Sequence, residues 1–306
     1  MALSAPLLTR RRLIQVKIEA AKGTAETATL LDLLAWDVEI SPEDPFVQRR
    51  YSSGFLGHLT PGVLEYTYAG RCKFKAELRD AGSAAIHAAV AACLTACGLK
   101  NTAETYTPTS LVATMKTLTI FVFEDGRKKS IFGAMGDCTI TSENGRMVAE
   151  FDFQGVWAAP VDAALPTPTM GSAAPIPWGH ASNTFTWATN AIRIGNFSMK
   201  LGNTVAPRWK DGIILYYLVT ERDPTIEIDP ESDLVAGYDI YGTWLAGTTA
   251  AVAMALTNGT RTFTWTIGKA QIREIKPGDR DGILIDTVTA QMVATNGDDE
   301  FTLVVT

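Results

Sequence analysis

The stretch Val63–Arg79, VLEYTYAGRCKFKAELR, alternates without a break between two kinds of side chain. Leu64, Tyr66, Tyr68, Gly70, Cys72, Phe74, Ala76 and Leu78 fall on one side. Glu65, Thr67, Ala69, Arg71, Lys73, Lys75, Glu77 and Arg79 fall on the other. Successive strand side chains point to opposite faces, so the pattern predicts one long strand with an apolar and a polar face. At ~3.3 Å per residue it would run on the order of 50 Å, against a usual strand of about 5–6 residues. A compact monomer has little use for so long a strip of backbone hydrogen-bonding groups. A wall shared between subunits does.

Downstream, Ser83–Cys97 predicts a helix with Ser83 as N-cap, an apolar stripe of Ile86, Val90, Cys93, Leu94 and Cys97, and Gly98 as its stop. Strands are predicted at Leu118–Phe123, Ser130–Thr141 and Met147–Val156, with turns at Asp125-Gly126 and Asn144-Gly145. Leu165–Trp178 carries Pro166, Pro168, Pro175 and Pro177 and reads as an extended linker. It divides the chain into domains at 1–165 and 179–306, joined by 166–178.

The second half repeats the order of elements. Strands are predicted at Ile192–Leu201, Ile213–Thr220 and Thr225–Ile228. A helical stretch then opens at Asp229-Pro230-Glu231 and buries Leu234, Tyr238, Tyr241 and Leu245. Ala250–Leu256 and Arg261–Ile267 flank the hairpin signal Asn258-Gly259. Gln271–Ile275, a turn through Pro277–Gly282 and Ile283–Met292 complete the series. The best local match sets Gly136–Ile140 against Gly268–Ile272.

The chain has 306 residues, 46% of them hydrophobic and 20% charged, which is a globular composition with length for two cores. A net charge of −6 argues against a surface that grips nucleic acid, since gripping needs cations. No apolar run is long enough to span a membrane, and Met1–Leu13 lacks the apolar core of a signal peptide. The four cysteines, Cys72, Cys93, Cys97 and Cys138, fall on predicted core faces, as reduced thiols would in a bacterial cytosol.

Catalytic and metal chemistry finds no purchase. His58, His87 and His180 are scattered, and no cofactor motif is present. Cys93 and Cys97 sit one helical turn apart beside Val90 and Leu94, which suits core better than metal. Asp229, Glu231 and Asp233 lack the glycine a calcium loop requires.

Four stretches, Lys17–Thr24 (KIEAAKGT) with Asp37–Ser41 (DVEIS), Val47–Gly57 (VQRRYSSGFLG), Phe151–Pro166 (FDFQGVWAAPVDAALP) and Tyr241–Leu256 (YGTWLAGTTAAVAMAL), resemble the tail tube proteins of long-tailed, siphovirus-type bacteriophages. Gln48-Arg49-Arg50 departs from the more acidic pattern of related chains. The resemblance implies a mainly β fold with few helices: two tandem β-sandwich domains, each with one packed helix. Their strands would extend into a shared inner β-barrel in the assembled ring. It implies a structural virion protein, not an enzyme, assembled in the host bacterial cytoplasm into stacked rings that conduct DNA during genome ejection. Its partners would be itself, the tape measure protein inside the tube, and the terminator and distal tail proteins at the ends. DNA would pass without specific binding. Six tube domains complete a ring in that family, so two per chain implies a trimer with pseudo-sixfold symmetry; a hexamer is the alternative. A terminator or distal tail protein on the same fold is a second reading. A carbohydrate-binding β-sandwich, suggested by seven tryptophans, is a third.

A conduit must admit the duplex without holding it, so its lumen should be neutral or mildly anionic. Lumen candidates are therefore Glu65, Glu77, Glu150, Asp152, Gln154 and Asp286. Candidates for contacts between subunits are Arg71, Lys73, Lys75, Arg49, Arg50 and a basic arm, residues 1–12, carrying Arg10, Arg11 and Arg12.

Overall fold

A computed structural model describes residues 6–43, 46–49, 51, 57, 61–64, 68–169, 171 and 174–306. Glu65, Arg50, His58 and the start of the arm lie outside the described residues, as do positions 65–67 of the predicted long strand.

The first half comprises β1 (Arg12–Ile18), β2 (Leu31–Leu33), β3 (Ala35–Pro42), β4 (Phe46–Val47), β5 (Val63–Leu64), β6 (Ala69–Glu77), α1 (Ala88–Ala96), β7 (Leu99–Thr102), β8 (Thr105–Pro108), β9 (Leu118–Glu124), β10 (Arg127–Glu143) and β11 (Arg146–Asp162). The second comprises β12 (Thr184–Trp187), β13 (Asn190–Ala191), β14 (Ile194–Lys200), β15 (Asn203–Lys210), β16 (Ile213–Arg222), β17 (Thr225–Pro230), α2 (Ile240–Leu245), β18 (Thr249–Thr257), β19 (Thr262–Arg280), β20 (Ile283–Met292) and β21 (Thr302–Val305). The fold is mainly β, and every pairing between these strands is antiparallel.

The two halves have the same strand order. The first runs β3-β6-β11-β10-β9-β1-β2. The second runs β14-β17-β20-β19-β18-β12-β13. In each, a helix follows the second strand of this order, and a hairpin (β4–β5 or β15–β16) is inserted before it. Both halves carry a β-bulge at one place: Ile131 and Ala134 of β10 span two residues of β9, as Ile267 and Ala270 of β19 span two of β18. That shared bulge sets Gly136 near Ile272, so the local match of Gly136 with Gly268 is out of register by four residues.

β6 alternates as its sequence predicts, with Gly70, Cys72, Phe74 and Ala76 buried and Arg71 exposed. Phe74 packs on Phe151 and Phe153, with ring centroids 5.4 and 5.9 Å away. The structure corrects one expectation: β6 needs no neighbouring subunit, because β11 and β3 occupy both its edges.

α1 begins at Ala88, five residues after the predicted start, since Asp80 and Ile86 form a bridge that spends Ser83 in a turn. It ends as predicted: Gly98 has φ +81°, the left-handed conformation that stops a helix. Ala89, Val90, Ala92, Cys93, Leu94 and Ala96 are all buried, so its small side chains let it lie inside the core. The second helix departs further. Asp229 and Pro230 close β17, α2 has only six residues, and Leu234 and Leu245 are each 78% exposed. Gly237 and Gly242 cost helix stability, and Asp239 caps a late start by accepting the Gly242 N–H at 2.7 Å.

One core and one continuous sheet run through both halves. β10 pairs with β14 through Thr139↔Lys200, Ile140↔Met199 and Thr141↔Ser198, and β21 bridges β19 to β8. The β15–β16 hairpin folds back onto β10 and β11, where Ile214, Tyr217 and Val219 pack with Met115 and Met135. The proline-rich stretch is extended but docked. Ile176 is fully buried; its N–H donates to the Leu78 carbonyl and its carbonyl accepts from Met147 N–H, both at 3.0 Å.

Candidate functional site

Pairing of β10 with β14 sets eight strands in one row, β3-β6-β11-β10-β14-β17-β20-β19. One face of this row packs on the core. The other presents Arg71, Lys73, Lys75 and Glu77 of β6, and Glu150, Asp152 and Gln154 of β11. Across the junction it continues through Ser198, Lys200, Glu227, Thr289 and Glu274, none of them buried.

The acids of this face do not form an anionic strip. Asp152 Oδ1 accepts from Arg71 Nε at 2.6 Å, and Lys73 Nζ lies 3.6 Å from the same carboxylate. Lys75 pairs with Glu143 at 3.2 Å, and Arg146 with Glu77. The hydrogen bond to Asp152 raises the Arg71 pKa, and that to Glu143 raises the Lys75 pKa. Register sets Lys73 directly opposite Asp152 and Arg71 diagonal to it across β6 and β11, whereas Lys75, opposite Glu150, reaches Glu143 of β10 instead. Cross-strand neighbours of opposite charge at this spacing interact directly. Within one copy, the three cations proposed for contacts between subunits are thus already engaged by acids of their own sheet. Glu150 is the exposed acid of β11, and Glu227 and Glu274 across the junction are exposed as well.

Asp286 is misplaced by the sequence reading. It is 5% exposed, and its carboxylate accepts from Ser232 Oγ and from the Tyr241 hydroxyl, each at 2.6 Å. It holds the loop after β17 to β20 and does not face outward. The basic arm is also shorter than predicted. Arg12 opens β1, contacts Glu124 at 3.2 Å and donates to the Val38 carbonyl at 2.7 Å; Arg11 pairs with Asp125 at 2.6 Å. Arg10 is exposed, and Arg49 is occupied by Tyr51, whose hydroxyl accepts from Nη2 at 2.7 Å.

Sequence reasoning missed the residues that join the halves. Cys138, Ile140, Phe197, Met199 and Leu201 are each no more than 2% exposed at the β10–β14 junction. The signal available is the apolar alternation in β14, which marks a strand but not its partner. Trp187 and Trp265 are buried, and Trp209 and Trp244 are exposed on separate elements, so no exposed aromatic platform of the kind a sugar needs is assembled from them. Among the described residues, no group of three or more His, Cys, Asp or Glu gathers as metal ligands, and no helix is long and apolar enough to cross a membrane. The four cysteines are free and buried, and burial pushes the Cys93, Cys97 and Cys138 thiols well up. No protein-family model matches the chain, and no curated protein matches it.

Proposed function

We propose that this chain is a self-assembling structural protein whose copies close into rings that stack as a hollow tube, the tail tube of a long-tailed bacteriophage. The observation that carries the reading is the eight-stranded row, apolar on its core face and polar on the other, ending in β3 on one side and β19 on the other. Two halves of identical strand order act as two tube domains, so three copies supply six. Three copies would line up roughly 24 strands at about 4.8 Å each, a circumference of about 115 Å before strand tilt widens it. That is a backbone diameter of roughly 35 Å or more, which leaves room for side chains and a DNA duplex. The polar face suits such a lumen: its acids and bases neutralise one another, so it offers DNA neither a cationic grip nor strong repulsion.

Negative-stain microscopy of the purified protein tests this. Rings with three chains per layer, or hollow filaments built from them, are the expected result. A monomer at every concentration overturns it, and isolated rings that never stack would indicate a terminal component of the tail.

A further inference from the structure

The two halves of one chain are spliced edge to edge, and each half owns a counterpart of every strand used. Resting on the assembly reading above, we propose that successive copies join by the same splice: the outer edge of β3 in one copy lies along Ile275–Asp279 of β19 in the next. The counterparts follow from matching core-facing positions in the common strand order. A backbone contact checks the match: Leu78 N–H donates to the Met147 carbonyl at 3.0 Å, and in the second half Ser232 N–H donates to the Leu284 carbonyl at 3.0 Å.

By this match, Cys138 and Ile140 of β10 correspond to Ile275 and Pro277 of β19. Phe197, Met199 and Leu201 correspond to Val38, Ile40 and Pro42. The five junction residues within the chain are buried; their five counterparts are also apolar, yet Pro42 and Pro277 are exposed and Val38, Ile40 and Ile275 only partly covered. Among the described residues, β3 pairs only with β6, and Ile275–Asp279 pair only with β20. Both edges therefore carry a core-like stripe that no described strand of the chain completes, the Val38 carbonyl of the β3 edge being met by the Arg12 side chain. Transferring the register of Lys200↔Thr139 and Ser198↔Thr141 sets Ser41 opposite Lys276 and Glu39 opposite Gly278. Glu39 then comes diagonal to Lys276, an attractive pair.

The lead into each half adds a second, independent correspondence. Ile176 covers Leu78 and Met147, bonding both backbones. Over Ser232 and Leu284, among the described residues, nothing occupies that place, and Leu234, Ile283 and Leu284 are 78, 49 and 61% exposed there. Pro6-Leu7, leading into β1, corresponds to Pro177-Trp178, leading into β12; Leu7 and Leu8 are 51 and 57% exposed. The lead of the next copy fills this place, on the same side as its β3.

The splice between copies is not a full replica. Leu201 N–H donates to the Cys138 carbonyl at 3.0 Å, and its counterpart Pro42 has no N–H; Pro277 likewise lacks the donor of Ile140. Apolar contact carries the joint more than its ladder does.

Disulfide trapping tests the register. In the Ser41→Cys/Lys276→Cys variant, mild oxidation should convert the monomer band to covalent multimers ending in a closed species. Each single variant should remain monomeric, since the native cysteines are buried. Equal cross-linking of a Ser41→Cys/Thr260→Cys control would mean random collision and overturn the proposal. Rings or filaments by microscopy without the 41–276 cross-link would overturn the splice and leave the tube reading standing. Absence of both assembly and cross-link at any concentration would sink the two together.

Discussion

Shortening Ile176 to alanine measures whether the proline-rich stretch braces the two halves or merely tethers them. Ile176 is fully buried within the main core, between the end of β6 and the start of β11. Ile176→Ala removes three carbons, a transfer loss of about 2.4 kcal/mol at ~0.8 kcal/mol each. The cavity left behind brings the expected cost into the range of about 2–5 kcal/mol. Ile176→Val should cost only about 0.5–1.5 kcal/mol, giving a graded pair. Urea denaturation followed by tryptophan fluorescence reads the difference directly, with the slope as a check that the unfolded state is unchanged. A tether with no packed side chain predicts a change within about 0.5 kcal/mol, as at ordinary surface positions. If Ile176→Ala falls in that band, the docked linker is wrong, and so is the part of the splice argument that uses it.

Four more variants follow from the geometry. Asp286→Asn should destabilise by about 1–3 kcal/mol, because two hydroxyl donors lose a buried charged acceptor. It should also lower the Tyr241 pKa, which the Asp286 hydrogen bond raises; ultraviolet titration would show an unchanged tyrosine if that bond were absent. Burial opposes ionisation of Glu124, but hydrogen bonds from Arg127 and Lys129 prevail and hold its pKa below the usual value. Its stabilising contribution is therefore full above the unfolded carboxylate pKa and is lost as pH falls through the folded one. Glu124→Gln should flatten stability between about pH 5 and about pH 3, and a profile parallel to wild type would refute this. Glu150→Lys should leave the fold intact and slow genome ejection if β11 lines the tube. Asp152→Lys, which strands Arg71 and Lys73, should cost up to about 1 kcal/mol more in a thermal melt.

Turns and two-faced strands were legible in the sequence because their signals are local. Asp125-Gly126, Asn144-Gly145 and Asn258-Gly259 all mark reversals between strands, and the alternation from Ala69 to Glu77 maps onto burial residue by residue. The strands before residue 48, β7, β8, β12, β13, β15 and β21 are not marked by the sequence; β1 and β21 are held by pairing with distant partners, and β15 is a hairpin strand whose register is broken by two bulges. Asp229-Pro230 has the composition of a helix start, yet the Asp229 carboxylate accepts from the Gly195 N–H at 2.7 Å and from Arg280 Nη1 at 3.1 Å at a sheet end. Asp286 failed as an outward acid because it shares the strand face of the fully buried Val288 and Ala290, away from Thr289 of the polar row, and the sequence alone does not say which face of β20 meets the core. The repeat was visible as an order of elements, but its register is carried by strand pairing and not by residue identity.

Pro42 and Pro277 carry a kinetic implication. A free copy with two fully bondable edges would polymerise on contact with any exposed strand in a crowded cell. On the proposed splice, the missing donor on each edge would make the first encounter between two copies fleeting, while a growing ring would still gain from each added apolar seam. Such a chain would persist as a dispersed pool and assemble after a lag, faster when seeded by preformed ends than from fresh solution.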